Sequence, residues 1–371
     1  MNPPGLIEID LDSSLSPSIE HYRLYKWIRN SSYFTESSEE ACIIIPAFDL
    51  FSLRTERRFR QKIEQHLQSE INWNNGNNNI IFNLDPPFDL ENEKTEVIPK
   101  FSSGNALIAS PNLRNSNVRF GMDVPIPYYS RAIDFVVGSY LTSNVEQPID
   151  LLISGKLRSD IEKVVSKFIS HNKYYNIIRI SSCNQSMPID PRKTVCDQFE
   201  REYSLSQIFA ASRQCLISFD DNNTFQNFYF SISLASGCVP LVAGDNQLLP
   251  YEKLIDWSLA VNRIKISELE HLNLKLTGHL DEKSEQARFL YETYFASIEN
   301  ILQSFIDYMK HILNVEKKGF EFWNGERHQR FRPKIQVNAL APDTGFTAVI
   351  LTFNRFEYLV RVVKRLKISE L

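Results

Sequence analysis

Glycine is scarce in this chain, with 12 in 371 residues, about 3% against a usual ~7%. Neither G-x-G-x-x-G nor G-x-x-x-x-G-K-[ST] occurs, which excludes the two common glycine loops that cradle phosphate. Charge of one sign is also lacking. Lys+Arg total 41 and Asp+Glu 45, with no basic run and no acidic tail, so nucleic acid is not an expected partner. The seven histidines are scattered and give no Ser-His-Asp or Cys-His grouping. Long apolar runs are missing too. The longest charge-free stretch, Asn222 to Gly244, contains Asn227, Ser231, Ser233, Ser236 and Pro240, which lipid would penalise. It reads as a buried helix–strand segment behind a leading loop. Met1 to Glu20 carry Asp and Glu without an apolar stretch, so they form neither a signal peptide nor an anchor.

What is present suits a folded chain of about two domains. Hydrophobic residues make up 43%, and 25 Phe, 15 Tyr and 4 Trp supply core volume. Of five cysteines, Cys42, Cys215 and Cys238 sit in apolar contexts and read as buried thiols. Cys183 and Cys196 bracket a polar loop with Pro188 and Pro191. A disulfide there would close a short loop of the kind found in exported proteins; zinc is the competing reading, with unsuitable spacing and no nearby His. Three N-x-[ST] sequons, at Asn30, Asn184 and Asn222, add to a secretory reading in combination with that loop.

The pattern along the chain is α/β. Leu6–Asp12 reads as a short strand, His21–Ile28 as a helix, Ala41–Pro46 as a buried parallel strand, and Arg57–Ile71 as a charged amphipathic helix. After a polar loop at Asn72–Asn79, strands are expected at Ile80–Leu84 and Leu107–Ala109. A second series starts at Asp150: strand Leu151–Ser154, a helix from Ser159 with Glu162 completing a capping box, and strand Ile177–Ile180. Helix Ser204–Ser212, strand Cys215–Phe219, helix Phe225–Ser236, strand Val239–Ala243 and a short helix at Tyr251–Trp257 follow. One long helix is expected over Asp281–Asn314, with Ala287, Tyr291, Tyr294, Ile298, Leu302, Phe305, Met309 and Ile312 as its core stripe. Residues 319–345 read as an irregular linker. Thr347–Thr352 and Phe356–Leu366 read as an orphan βα unit, the start of a domain whose remainder is missing.

Three places could carry chemistry. Asp10 and Asp12 form a D-x-D that could hold a divalent metal, or arise by chance among 45 acids. Gly155–Ser159 joins a strand to a helix N-terminus with Lys156 and Arg158 as cations, which is either an anion site or a solvated turn. Asp220, Asp221, Asn222 and Asn223 lie at the carboxyl end of a strand, where α/β sheets bind ligands. Their charge repels phosphate, so a polar capping loop competes with the ligand reading.

The segment "CLISFDDNNTFQNFYFSISLASGCVPLVAGDNQLLPYEKLIDWSLA" (Cys215–Ala260), with "QARFLYETYFASI" (Gln286–Ile298) and "FGMDVPIPYYS" (Phe120–Ser130), resembles the exostosin family, glycosyltransferase family 47. "FTAVILTFNRFEYLV" (Phe346–Val360) looks like the opening of a family 64 glycosyltransferase domain. The resemblance implies a GT-B-like fold with two Rossmann-like halves, residues 1–140 and 141–318. A linker at 319–345 and, at 346–371, the truncated start of a GT-A domain would follow. It further implies heparan sulfate polymerisation from UDP-sugar donors onto a heparan sulfate acceptor, and hetero-oligomerisation with an exostosin-one-like partner. Location would be the Golgi or endoplasmic reticulum lumen, as a type II membrane protein whose anchor is absent from this chain. No cofactor is expected here; Mn²⁺ belongs to the missing family 64 domain. The donor-binding candidates are Lys156, Arg158, Asp220, Asp221 and Asn223, with no catalytic residue. Active family 47 domains carry an Arg-Gly-rich loop where this chain has Asp220–Asn223, and a Glu where it has Ile232. The resemblance therefore implies a degenerate, non-catalytic module that supports a partner; an active UDP-sugar-dependent transferase is the alternative.

Overall fold

The computed structural model describes residues 19–35, 41–46, 71–84, 103–129, 146–183, 194–219, 225–244 and 248–325. Short gaps occur at 112, 114–117, 156, 158, 273 and 275–278, and a few isolated positions lie between the stretches. The readings at Leu6–Asp12, Asp10 and Asp12, most of Arg57–Ile71, and 346–371 fall outside the described residues.

Two sheets form. In the first, three parallel strands run in the order β1 (Ile80–Phe82), β2 (Leu107–Ser110) and β3 (Val124–Pro125). β1 and β2 are buried along their whole length, as apolar runs covered on both faces should be. Ala41–Pro46 adds a single parallel bridge, Ile44 to Asn79, instead of the expected buried strand. Every residue of this run is only partly buried, with Ile43 and Ile45 packed against the main core.

The second sheet comprises β4 (Ile149–Ser154), β5 (Ile177–Ser182), β6 (Thr194–Asp197), β7 (Glu202–Ser204), β8 (Ser212–Ser218), β9 (Val239–Ala243) and β10 (Asn262–Ile264). Its order is β10-β9-β8-β4-β5-β6-β7. The strands from β10 to β5 are parallel, and β6 and β7 add an antiparallel edge.

Helix α1 (Ile19–Asn30) precedes the first sheet. Helix α2 (Ser159–His171) follows β4, and α3 (Leu205–Ala210) precedes β8. Helix α4 (Phe225–Ser236) joins β8 to β9 and is buried on nearly every side. The Glu162 carboxylate pairs with Arg179 on β5, one oxygen lying 2.7 Å from Nη2, whereas the expected capping box with Ser159 rests on a side chain outside the described ones. The expected helix at Tyr251–Trp257 is a series of turns, followed by a 3-10 turn at Trp257–Leu259 that Asp256 caps.

The long helix is broken. Helix α5 (Leu280–Leu290) passes into a π-helical turn at Tyr291–Phe295, and α6 (Ile298–Ile312) starts afresh. Ser297 causes the break. It is extended (φ −151°, ψ 162°), and its hydroxyl accepts the Asn300 N–H at 3.0 Å, an N-cap that competes with continuing the helix. The stripe is buried from Ala287 to Met309, but Ile312 is 37% exposed. Residues 320–324 are not irregular: helix α7 (Phe320–Asn324) buries Trp323 beside Tyr251 and Tyr294.

Cys183 and Cys196 are disulfide-bonded. Cys215 and Cys238 are fully buried as read, but they form a second disulfide instead of two thiols, with Cα atoms 5.8 Å apart. Cys215 sits on β8 and pairs in register with Pro240 on β9, so the sheet brings Cys238 beside it. Cys42 is half-buried and belongs to neither disulfide, and burial raises its thiol pKa.

Candidate functional site

The strand order reverses at β4. The chain runs from β4 to β5 on one side, then returns to place β8 and β9 on the other. Open parallel sheets bind ligands at the carboxyl ends of strands flanking such a reversal. Here those ends are Ser154 on β4 and Ser218 on β8, and both strands finish with Leu-Ile-Ser.

Gln226, in the first turn of α4, ties the two ends together. Its Oε1 accepts the Ser218 N–H at 3.1 Å, and its Nε2 donates to the Ser154 carbonyl at 3.4 Å. Gln226 is completely buried, so these bonds form out of water, where an unmade one is expensive. Gly155 follows with φ +75°, and a Cβ there would lie 3.0 Å from the Tyr229 ring. That conformation and spacing suit glycine. Tyr229 is buried, and desolvation pushes its hydroxyl pKa well above the ordinary tyrosine range, so it stays protonated. Among the described residues, the hydroxyls of Ser154 and Ser218 are buried without a hydrogen-bond partner.

Beside this reversal the two sheets meet at a small crevice. Pro111 past β2, Ile126 and Tyr128 past β3, Phe219 past β8, Phe230 on α4 and Leu249 past β9 help to line it. Ser231 Oγ donates to the Tyr128 carbonyl at 3.0 Å, and Tyr251 N–H donates to the Pro125 carbonyl at 3.2 Å, tying the strand ends of one sheet to the other. Apolar side chains make up most of the crevice lining, joined by Asn227 and Ser231.

Of the donor-binding candidates, Lys156, Arg158, Asp220, Asp221 and Asn223 all lie outside the described residues. The topology nevertheless gives their loops adjacent strands, β4 and β8. Ile232 is fully buried in the main apolar cluster. Asn184 and Asn222 lie outside the described residues, whereas Asn30 is exposed at the end of α1. The one cluster of metal-ligating types among the described residues is Cys183, Cys196 and Glu202. Its two sulfurs bond to each other, so they are not thiolates available to zinc. Also among the described residues, no helix is long and apolar enough to cross a membrane. Sequence reasoning missed Ser154, Ser218 and Gln226. The repeated Leu-Ile-Ser ending of two apolar strands was the available signal.

Comparison with known proteins follows the same line. The family model described as "Exostosin GT47 domain" matches residues 12–280. Exostosin-2 of Bos taurus is 24% identical over 379 residues, covering 96% of this chain and 50% of that protein. Exostosin-2 of Homo sapiens is 24% identical, covering 95% and 50%. Exostosin-1b of Danio rerio is 24% identical, covering 83% and 43%. The chain spans about half the length of the exostosin-2 proteins it matches.

Proposed function

The chain belongs to the exostosin GT47 domain family, and from that premise we propose that it is a glycosyltransferase-type module of heparan sulfate synthesis. Its UDP-sugar site is degenerate, and its role is to support an exostosin-one-like partner. The observation that carries this reading is Ile232. It is 0% exposed inside the apolar core, where active members of the family are expected to carry a Glu for the donor ribose. The acidic loop Asp220–Asn223 supports it, because two carboxylates disfavour a diphosphate. In this reading residues 1–140 and 141–318 are the two halves of a GT-B unit, 319–345 a linker, and 346–371 the opening of a family 64 domain, the place for Mn²⁺. The compartment is the Golgi or endoplasmic reticulum lumen, in keeping with two disulfides.

The alternative, an active UDP-sugar-dependent transferase, is favoured by one observation. Ser154 and Ser218 present hydroxyls without a hydrogen-bond partner among the described residues where the strand order reverses. Co-expression with an exostosin-one-like protein tests the proposal. The expected result is a stable complex whose polymerising activity on a heparan-type acceptor exceeds that of the partner alone. No complex, or transfer by this chain alone, would contradict it.

A further inference from the structure

Helix α1 ends at Asn30, which is exposed and opens the sequon Asn30-Ser31-Ser32. The chain then turns tightly. Ser31 N–H bonds the Ile28 carbonyl at 3.0 Å, Ser31 Oγ donates to the same carbonyl at 2.7 Å, and Phe34 N–H reaches the Ser31 carbonyl at 3.3 Å. This turn holds two exposed rings beside Asn30. Tyr33 is 36% and Phe34 38% exposed. Neither ring swings free. The Arg29 guanidinium lies 5.6 Å from the Phe34 ring centre, Lys310 Nζ lies 5.4 Å from that of Tyr33, and Lys310 also donates to Tyr33 Oη. Lys310 belongs to the end of α6, where Ile312 and Val315 add exposed apolar surface. Two partly exposed rings held in place beside a sequon offer a surface on which the apolar face of a sugar can pack. The sequon can supply that sugar from three residues away.

We propose that Asn30 carries an N-linked glycan whose first sugars lie over Tyr33 and Phe34. This rests on the lumenal compartment proposed above. In the attachment, the Asn30 side-chain nitrogen bonds to C1 of a polyprenyl-diphosphate-linked oligosaccharide. The C1–O bond to diphosphate breaks, the lipid diphosphate leaves with that electron pair, and the amide gives up one proton. The apolar face of a pyranose then packs on the rings while its hydroxyls stay in water.

The experiment directs the full chain into the endoplasmic reticulum of a eukaryotic host and maps occupancy by peptide N-glycosidase F and mass spectrometry. Asn30 is expected to be modified. Ser32→Ala should lose one glycan's worth of gel mobility shift, and Ser32→Thr should keep it. Binding of the dye ANS should rise in Ser32→Ala and fall back when Tyr33→Ser and Phe34→Ser are added. Unmodified Asn30 in a chain with Cys183 and Cys196 oxidised would overturn the inference and leave the compartment reading standing. Modification without a dye response would overturn the covering role. In the protein from its own cells, free Cys183 and Cys196 with every sequon bare would overturn the compartment reading together with the inference.

Discussion

Asp197 is a buried carboxylate held by the backbone N–H groups of Phe199 (2.8 Å) and Arg201 (2.9 Å), by Arg201 Nε (2.8 Å) and by Tyr203 Oη (3.3 Å). Burial alone would raise its pKa. The Arg201 and Phe199 N–H bonds and the guanidinium outweigh that and hold it below the ordinary Asp value. A carboxyl depressed in the folded state stabilises it above the unfolded pKa, about 4, and that contribution is lost as pH falls through the lowered value. The β6–β7 turn should therefore loosen below about pH 4, read by hydrogen exchange at Phe199 and Arg201, and Asp197→Asn should remove this acid sensitivity. The switch-point residues divide sharply. Gln226→Leu leaves the Ser218 N–H and the Ser154 carbonyl without their side-chain partner and should cost about 1–3 kcal/mol. Ser154→Ala and Ser218→Ala remove hydroxyls that bond nothing described and should be neutral or stabilising. Urea unfolding of the three variants measures both statements. A large loss from either serine would mean that its hydroxyl has a partner in solution.

At the scale of elements, the disulfide Cys215–Cys238 closes the loop that contains α4, with a sequence separation of 23. Replacing both with Ser should lower stability by about 3 kcal/mol, seen as a lower Tm that reducing agent no longer changes through this bond. Ser297→Ala should cost about 1 kcal/mol and leave the α5–α6 break less sharply defined. The sequence made some elements plain and hid others for physical reasons. Helix α4 and strand β9 stand at the expected residues, because charge-free segments rich in apolar side chains favour burial. Strands β6, β7 and β10 were not legible: β7 and β10 are no more than half-buried, so no apolar run or clean alternation marks them. The Cys215–Cys238 pairing was hidden because apolar surroundings suit a thiol and a disulfide alike. Only the β8–β9 register, a non-local fact, brings the two together. At the candidate site, the ends of β4 and β8 were legible, whereas Gln226 was not, because the adjacent amides Gln226 and Asn227 in a charge-free helix carry no period.

At the scale of the whole molecule, strand ends of both sheets line a small crevice, and α6 and α7 pack Tyr308 and Trp323 against Tyr251. Family membership and the strand-order reversal argue for sugar-nucleotide ancestry. In the function proposed above, the buried Ile232 and the acidic Asp220–Asn223 loop leave the donor unheld. The central claim is thus a statement about affinity. Isothermal titration of the purified full chain with UDP-glucuronic acid tests it most directly. The account predicts no saturable heat at millimolar donor, and a one-to-one isotherm with a micromolar Kd would contradict it.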